Sequence, residues 1–226
     1  ITALEELSTL GFSEEAINSI WANFGHDYFL RESAKDIVWH TSEILQHGNN
    51  PAPLVAIQKS HLNQFQGATQ IFVYTQDLAN LFAASVATLD QQHLTVLDAR
   101  IITATSHFSL DTYIVLDEDN TPITDSHRLD KIRHSLIKAL SHPEQFPTIV
   151  QKRLPRQLKH FNVKTEVNIS NDITKQQTVL EVMTLDRPGL LARIGLIFME
   201  HGVNLQNARI ATLGERVEDV FFLSDR

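Results

Sequence analysis

Two stretches of the chain decide its fold, because they repeat one pattern. Residues 69–101 read TQIFVYTQDLANLFAASVATLDQQHLTVLDARI, and residues 178–210 read TVLEVMTLDRPGLLARIGLIFMEHGVNLQNARI. The offset between them is 178 − 69 = 109 residues. Positions that keep the same residue at this offset include Thr69/Thr178, Val73/Val182, Asp77/Asp186 and Ala83/Ala192. Shared periodicity alone would not place identical residues in register, so the pattern indicates an internal duplication.

Each repeat alternates between the period of a strand and the period of a helix. In the first copy, residues 70–75 predict a strand and residues 78–89 predict an amphipathic helix. Two further strands follow over 94–105 and 110–116, and a second helix ends at His142, before Pro143. The repeat predicts a small α+β unit in each copy, with a lead-in strand over 54–59 and over 163–170.

The same patterns divide the chain into four parts. Residues 1–50 predict a helical segment, with helices over 12–24 and from Ser33 onward. We expect the first unit at 54–142 and an extended connector at 143–160, which is rich in proline and basic residues. The second unit covers 163–226 and is expected to be incomplete, because the segment matching the first unit's second helix is missing from this sequence.

Composition excludes several classes of function. The 226 residues include no cysteine, which removes disulfides, zinc ribbons, iron–sulfur clusters and thiol catalysis. The formal net charge of −8 argues against a nucleic-acid partner. No run of eighteen apolar residues and no basic, apolar leader is present, so we expect a cytoplasmic protein without a membrane partner.

One motif carries the strongest signal for a ligand. Residues 186–190 read Asp-Arg-Pro-Gly-Leu where a strand passes into a helix. Gly189 lets the backbone approach a ligand, and the next amides at the helix N-terminus suit a carboxylate. Asp186 can accept from an ammonium group, and Asn204 on the following strand can pair with an amide or hydroxyl. These features fit a free amino acid, although the same spacing also fits a tight turn before a capped helix.

Motifs for catalysis or metal binding are missing from the sequence. It contains no glycine-rich phosphate loop and no Gly-x-Ser-x-Gly motif. His26 and Asp27 form an adjacent pair, but no further ligands at metal-binding spacing accompany them. We therefore predict no catalytic residue, no metal site and no cofactor of the chain's own.

Three runs of the second repeat resemble a known family. They are Leu185–Gly195, Gly202–Ile210 and Gly214–Phe222. These runs resemble the ACT domain, a βαββαβ module with a ferredoxin-like fold that binds amino acids. Together with residues 94–101 and 111–116, they are similar to the C-terminal tandem ACT region of the bacterial bifunctional PII uridylyltransferase/uridylyl-removing enzymes. Residues 28–40 resemble the link from the HD domain in that family.

The resemblance implies a division of labour. In this family a nucleotidyltransferase domain uses UTP and Mg²⁺ to uridylylate the PII signal protein, and an HD domain removes the uridylyl group by hydrolysis. The ACT pair senses L-glutamine and switches between the two activities. This chain would then be non-catalytic by itself, with Mg²⁺ expected only in the nucleotidyltransferase and HD domains outside it. ACT pairing would also allow a homo-oligomer.

Site residues follow by resemblance. The ligand positions of the second copy are Thr184, Asp186, Arg187, Pro188, Gly189, Leu190 and Asn204, and a weaker site in the first copy would use Thr75, Asp77, Asn80, Leu81 and Thr95. In the first copy the Pro-Gly pair is lost and Thr95 replaces Asn204. Two alternatives stay open, namely an ACT regulator without uridylyl chemistry and an interaction module without a small ligand.

Overall fold

The computed structural model describes residues 2–225 except Ala79, 146–163, 174–175, Pro188 and Glu215. Four helices come first, and they are α1 (Ala3–Thr9), α2 (Glu14–Trp21), α3 (His26–Arg31) and α4 (Ala34–His47). Ser13 and Ser33 cap α2 and α4, as the sequence predicts, because each hydroxyl accepts from a backbone amide in the first turn. The sequence patterns missed the short helices α1 and α3. The segment predicted as a connector at 143–160 lies almost wholly outside the described residues.

Two units follow the helices and share one eight-stranded sheet. The first contains β1 (Leu54–Lys59), β2 (Thr69–Gln76), α5 (Leu81–Gln91), β3 (Thr95–Thr103), β4 (Phe108–Leu116) and α6 (Ser126–Ser141). The second contains β5 (Glu166–Asp172), β6 (Gln177–Leu185), α7 (Leu190–Glu200), β7 (Val203–Leu213) and β8 (Arg216–Asp225). The strand order is β1-β2-β4-β3-β7-β8-β6-β5, and every neighbouring pair is antiparallel.

The order of strands within each unit confirms the α+β class and refines its connectivity. In a βαββαβ unit, the edge place beside the first strand belongs to the last strand. Here that place is taken by the lead-in strand, which is β1 beside β2 and β5 beside β6. The lead-in strand can fill this edge place because β1 pairs with β2 in the antiparallel sense and buries Leu54, Val55 and Ala56.

A pseudo-twofold axis relates the two units. Where β3 pairs with β7, Arg100 lies opposite Arg209, Ala99 lies opposite Ile210, and Ile101 lies opposite Ala208. Arg100 and Arg209 are also equivalent in the repeat, because 209 − 100 = 109. Equivalent residues that face each other mark the axis of symmetry, so the duplicated units pair edge to edge as a dimer within one chain.

The helices of the two units form one layer over this sheet. Helix α5 packs against α7, and Phe82, Phe198 and Phe221 meet in the core between the units. Close approach of the helices requires Gly195, because a Cβ atom placed there would lie 2.8 Å from the Cα atom of Ala83. Among the described helices, none is long and apolar enough to cross a bilayer.

The opposite face of the first unit is covered by the N-terminal helical segment. Phe24, Tyr28 and Ile37 of this segment pack against Phe72 and Leu110 of the sheet. Tyr28 and Phe72 are almost completely buried, so this contact is a second hydrophobic core rather than a loose attachment. The segment and the first unit therefore form one packed body.

The contact at Gly195 gives a stability prediction. Gly195→Ala forces α5 and α7 apart, and overpacking of this kind costs about 1–3 kcal/mol. Thermal and urea unfolding of the purified chain measure the loss. Gly25→Ala is the matched control, because a Cβ atom at Gly25 meets nothing within 4 Å. Equal stability of the two variants would contradict the close packing of the units.

Candidate functional site

The loops before α5 and α7 have the same backbone geometry. Asn80 and Gly189 occupy equivalent positions and both are left-handed, with φ of 72° and 74°. Glycine adopts this conformation without strain, and asparagine tolerates it better than most residues. Neither residue caps its helix with a side-chain hydrogen bond. The loop before α5 also places the N-terminus of that helix, with its partial positive charge, beside Met199 and Asn204 of the second unit.

A narrow cleft lies beside the first of these loops. Its enclosed volume is about 40 Å³. Asp77, Asn80 and Leu81 of the first unit line one side, and Met199 and Asn204 of the second unit line the other. Two units thus contribute to one concave site, which is a common location for small-molecule binding.

The position of Asn204 corrects the predicted grouping of site residues. Asn204 lies opposite Ser224 at one end of the second unit, whereas Leu185 and Leu213 both lie opposite Arg216 at the other end. Between Asn204 and Leu213 are 213 − 204 = 9 residue steps, or about 30 Å of strand. The prediction that Asn204 acts together with residues 184–190 is therefore wrong. The pseudo-twofold axis brings Asn204 to the loop of the other unit.

Thr95, like Asn204, lies near the loop of the other unit. The hydroxyl of Thr212, at the end of β7, donates to the carbonyl of Val96 at 3.0 Å. This bond brings the start of β3 to the end of the second unit that carries Asp186. Thr95 thus belongs with the second loop, and its assignment to the site at Asp77 is wrong as well.

The remaining predicted residues have varied surroundings. Thr75 and Thr184 are buried at the ends of β2 and β6, and the hydroxyl of Thr184 is already 2.7 Å from that of Thr165. Arg187 is exposed and Leu190 is half-buried. Pro188 lies outside the described residues.

A buried acid at the cleft was missed as a site residue. Asp111 lines the cleft, is fully buried, and accepts from the hydroxyl of Ser109 at 2.5 Å. Burial, the largest cause, and the nearby charge of Asp77 together raise the pKa of Asp111 to about 7, although the hydrogen bond from Ser109 lowers it. Burial also raises the pKa of Asp77. Asp111 matches Asp219 once the repeat is shortened by one residue at the turn (219 − 111 = 108), and this match is the only sequence signal for either residue.

A second cluster of titratable side chains lies where the helical segment meets the sheet. Ligand atoms of Glu32, Asp36 and His40 lie within 4.8 Å of one another, which is the residue set of a metal site. However, Arg100 donates to Glu32 at 2.6 Å, and the Gln70 amide donates to Asp36 at 2.7 Å. A metal ion would have to sit beside the Arg100 guanidinium, so we interpret the cluster as an internal ion-pair network.

Arg31 extends this junction to the second unit. Its guanidinium donates to Asn207 on β7 at 2.5 Å and lies 5.7 Å from the ring centre of Phe222 on β8. The adjacent Glu32 is held by Arg100 on β3. The end of α3 is therefore attached to both sides of the β3–β7 pairing.

The raised pKa of Asp111 predicts a pH dependence of stability. Between about pH 4 and pH 7 the folded chain keeps a proton on Asp111 that the unfolded chain releases. The free energy of unfolding therefore falls as pH rises through this window, with a slope of up to ~1.4 kcal/mol per pH unit from this group. Asp111→Asn should flatten the profile in urea unfolding at several pH values.

The control for this profile is Asp130→Asn, which removes an exposed carboxylate on α6. It should leave the slope unchanged. An Asp111→Asn profile parallel to that of the wild type would show that this carboxyl titrates normally in the folded chain.

Two family models and a group of curated proteins match this sequence. Residues 2–43 match the family model of the uridylyltransferase GlnD fifth domain, and residues 178–226 match that of the ACT domain. The bifunctional uridylyltransferase/uridylyl-removing enzyme of Acinetobacter baylyi is 52% identical over 95% of this chain, and that of Ectopseudomonas mendocina is 51% identical over 99%. The chain spans about a quarter of the length of these relatives, covering 24% and 25% of them.

Among solved structures, an aspartate kinase from Synechocystis covers 71% of this chain, and the match covers 24% of the kinase chain. The TM-score is 0.41 and the sequence identity 16%, a likeness too slight to support any argument. The relatives extend over nearly the whole sequence at about half identity. The chain thus falls in the family of bifunctional uridylyltransferase/uridylyl-removing enzymes, as a region whose second unit is an ACT domain.

Proposed function

We propose that this chain is the glutamine-sensing regulatory region of an enzyme that uridylylates and deuridylylates the PII nitrogen-regulatory protein. The observation that carries the proposal is the cleft shared by the Asp77–Leu81 loop of one unit and Asn204 of the other. A ligand bound there touches both units at once. Catalysis would belong to nucleotidyltransferase and HD domains outside this sequence, which would also hold the Mg²⁺.

The groups at the cleft match the groups of a free amino acid. The N-terminus of α5 suits the α-carboxylate, because its first amides carry partial positive charge. Asp77 and Asp111 offer carboxyl oxygens to the ammonium group. The amide of Asn204 is exposed at the rim, where it can donate to and accept from the side-chain amide of glutamine.

The junction at Arg31 and Glu32 offers a route from this cleft to other domains. A ligand biases a protein only through its differential affinity for two arrangements, and such coupling is typically ~1–3 kcal/mol. If glutamine changes how the two units meet, the attached end of α3 changes position with them. The helices α1–α4 would pass this change to the catalytic domains.

The first test concerns binding at the cleft. Asn204→Ala removes the amide and should weaken L-glutamine binding at least tenfold in isothermal titration calorimetry, because a polar partner of the ligand is lost. Gln206→Ala, two residues further along β7, is the matched control and should bind as the wild type does. Unchanged affinity of Asn204→Ala would remove this cleft from the proposal.

The second test concerns transmission. Arg31→Ala detaches α3 from Asn207 and Phe222 but leaves the cleft intact. In the full-length protein this variant should bind glutamine with an affinity within about twofold of wild type, whereas the effect of glutamine on PII uridylylation and deuridylylation should be strongly reduced, because the cleft stays whole and the route is cut. Normal regulation by glutamine in Arg31→Ala would contradict the route through α3.

A second candidate function rests on a different surface. In the second unit no described element covers the corresponding sheet face, and Glu166, Glu181 and Glu218 line a shallow depression there. This surface favours an interaction module of a regulator without uridylyl chemistry. If the full-length protein fails to modify PII while the chain still binds amino acids, this alternative replaces the first.

A further inference from the structure

The two edges of the eight-stranded sheet are formed by equivalent strands, β1 and β5. Val55 of β1 lies opposite Val73, and Val167 of β5 lies opposite Val182. The two partners are equivalent in the repeat, because 182 − 73 = 109. Val55 and Val167 are therefore equivalent as well, and the two edges can be compared residue by residue.

The surroundings of these two strands differ. Val55 is only 4% exposed, because α6 packs on β1. Val167 is 55% exposed and Ile169 is 70% exposed, and every other residue of β5 up to Asn171 is exposed too. Among the described elements, only β6 has an extensive contact with β5. The second unit thus presents an uncovered edge strand that carries apolar side chains.

The backbone of β5 is also open to a further strand. It pairs with β6 over seven residues without a bulge, and it contains no proline, lysine or arginine. Natural proteins usually protect an exposed edge strand with such features. At the other edge, Pro51 and Pro53 precede β1, and Lys59 ends it. Alternate amide and carbonyl groups of β5 point away from β6, as in any edge strand, so they can bind another strand.

The sequence of β5 complements itself in one antiparallel register. When Asn168 lies opposite Asn168 of a second copy, Val167 lies opposite Ile169 and Lys164 lies opposite Asp172. Each of the last two pairs occurs twice, once on either side of the twofold axis. Apolar pairs and pairs of opposite charge both stabilise neighbouring strands. The same strand therefore supplies both halves of a matched contact.

We propose that β5 is a docking edge for a second copy of this chain, whose own β5 pairs with it in the antiparallel sense about a twofold axis at Asn168. The two sheets would then form one sheet of 8 + 8 = 16 strands. This edge lies at the opposite end of each unit from the β3–β7 pairing, so the inference is independent of the proposed function. Because each copy contributes one strand, we expect a weak dimer that depends on protein concentration.

The first test is sedimentation velocity at several protein concentrations. The wild-type chain should change from monomer to dimer as its concentration rises. Ile169→Lys should raise the dissociation constant of the dimer by about tenfold or more, because a charge replaces an apolar side chain at the edge. Ile197→Lys is the matched control, since Ile197 is 51% exposed on α7, and it should dimerise as the wild type does. A wild-type chain that stays monomeric, or equal dimerisation of the two variants, would overturn the proposal.

The second test examines the register. The chain has no cysteine, so Asn168→Cys carries a single thiol. Directly opposite residues have Cα atoms about 4.5–5.5 Å apart, which is within the range of a disulfide. Mild oxidation should therefore give a covalent dimer on a non-reducing gel.

Ser170→Cys is the control for this register, because residue 170 is also exposed and lies on the same face of β5. In the proposed pairing it is four residues, or about 13 Å of strand, from residue 170 of the second copy, so it should cross-link poorly. Equal cross-linking of the two cysteine variants would contradict the pairing at Asn168. Glutamine binding measured on the same variants tests the proposed function separately.

Discussion

The antiparallel pairing of β3 with β7 is the interaction on which the rest of the structure depends. It places Arg100 opposite Arg209 and so converts a tandem repeat into a symmetric pair. The pairing joins two four-stranded sheets into one and brings α5 against α7 through the small residues Ala83 and Gly195. Because the strands run in opposite directions, the start of each strand meets the far end of the other unit.

That exchange explains how the cleft at Asp77 arises. The loop that precedes α5 faces Asn204 on β7 of the other unit, so the first unit alone does not form the cleft. Asp111 and Asp219 are buried near the loops that precede α5 and α7. Burial raises the pKa of each to about 7, which reflects the unfavourable environment for a charge. Acids retained at such positions are typical of binding sites, although structural networks also contain them.

The N-terminal helical segment contacts both strands of the β3–β7 pair. Glu32 accepts from Arg100 on β3, and Arg31 donates to Asn207 on β7. Burial raises the pKa of Glu32 to about 7 even though Arg100 lowers it, so the contact is deeply enclosed. A segment held at both sides of one interface is well placed to respond when that interface changes.

Much of this fold could be predicted from the sequence. The offset of 109 residues predicts both units, and the alternation of periods gives each described strand and long helix within a few residues. Asn80, which replaces the glycine of the second copy, has the left-handed backbone that asparagine tolerates better than most residues. The short helices α1 and α3 were missed, because six or seven residues hold too little periodicity to be recognised.

The site was harder to predict than the fold. Periodicity shows which residues share a face of a strand, but it does not show which unit that strand will join. Asn204 and Thr95 were therefore assigned to the wrong loops. Asp111 could not be predicted as a site residue, since nothing in a sequence distinguishes a buried acid that lines a cleft from one on a solvated strand.

The most direct measurement is a crystal structure of the chain with L-glutamine. We predict glutamine held between the two units, with its carboxylate at the N-terminus of α5 or α7 and contacts from both units to the same molecule. Glutamine enclosed within a single unit, with Asn204 remote from every bound molecule, would contradict a site shared by the two units.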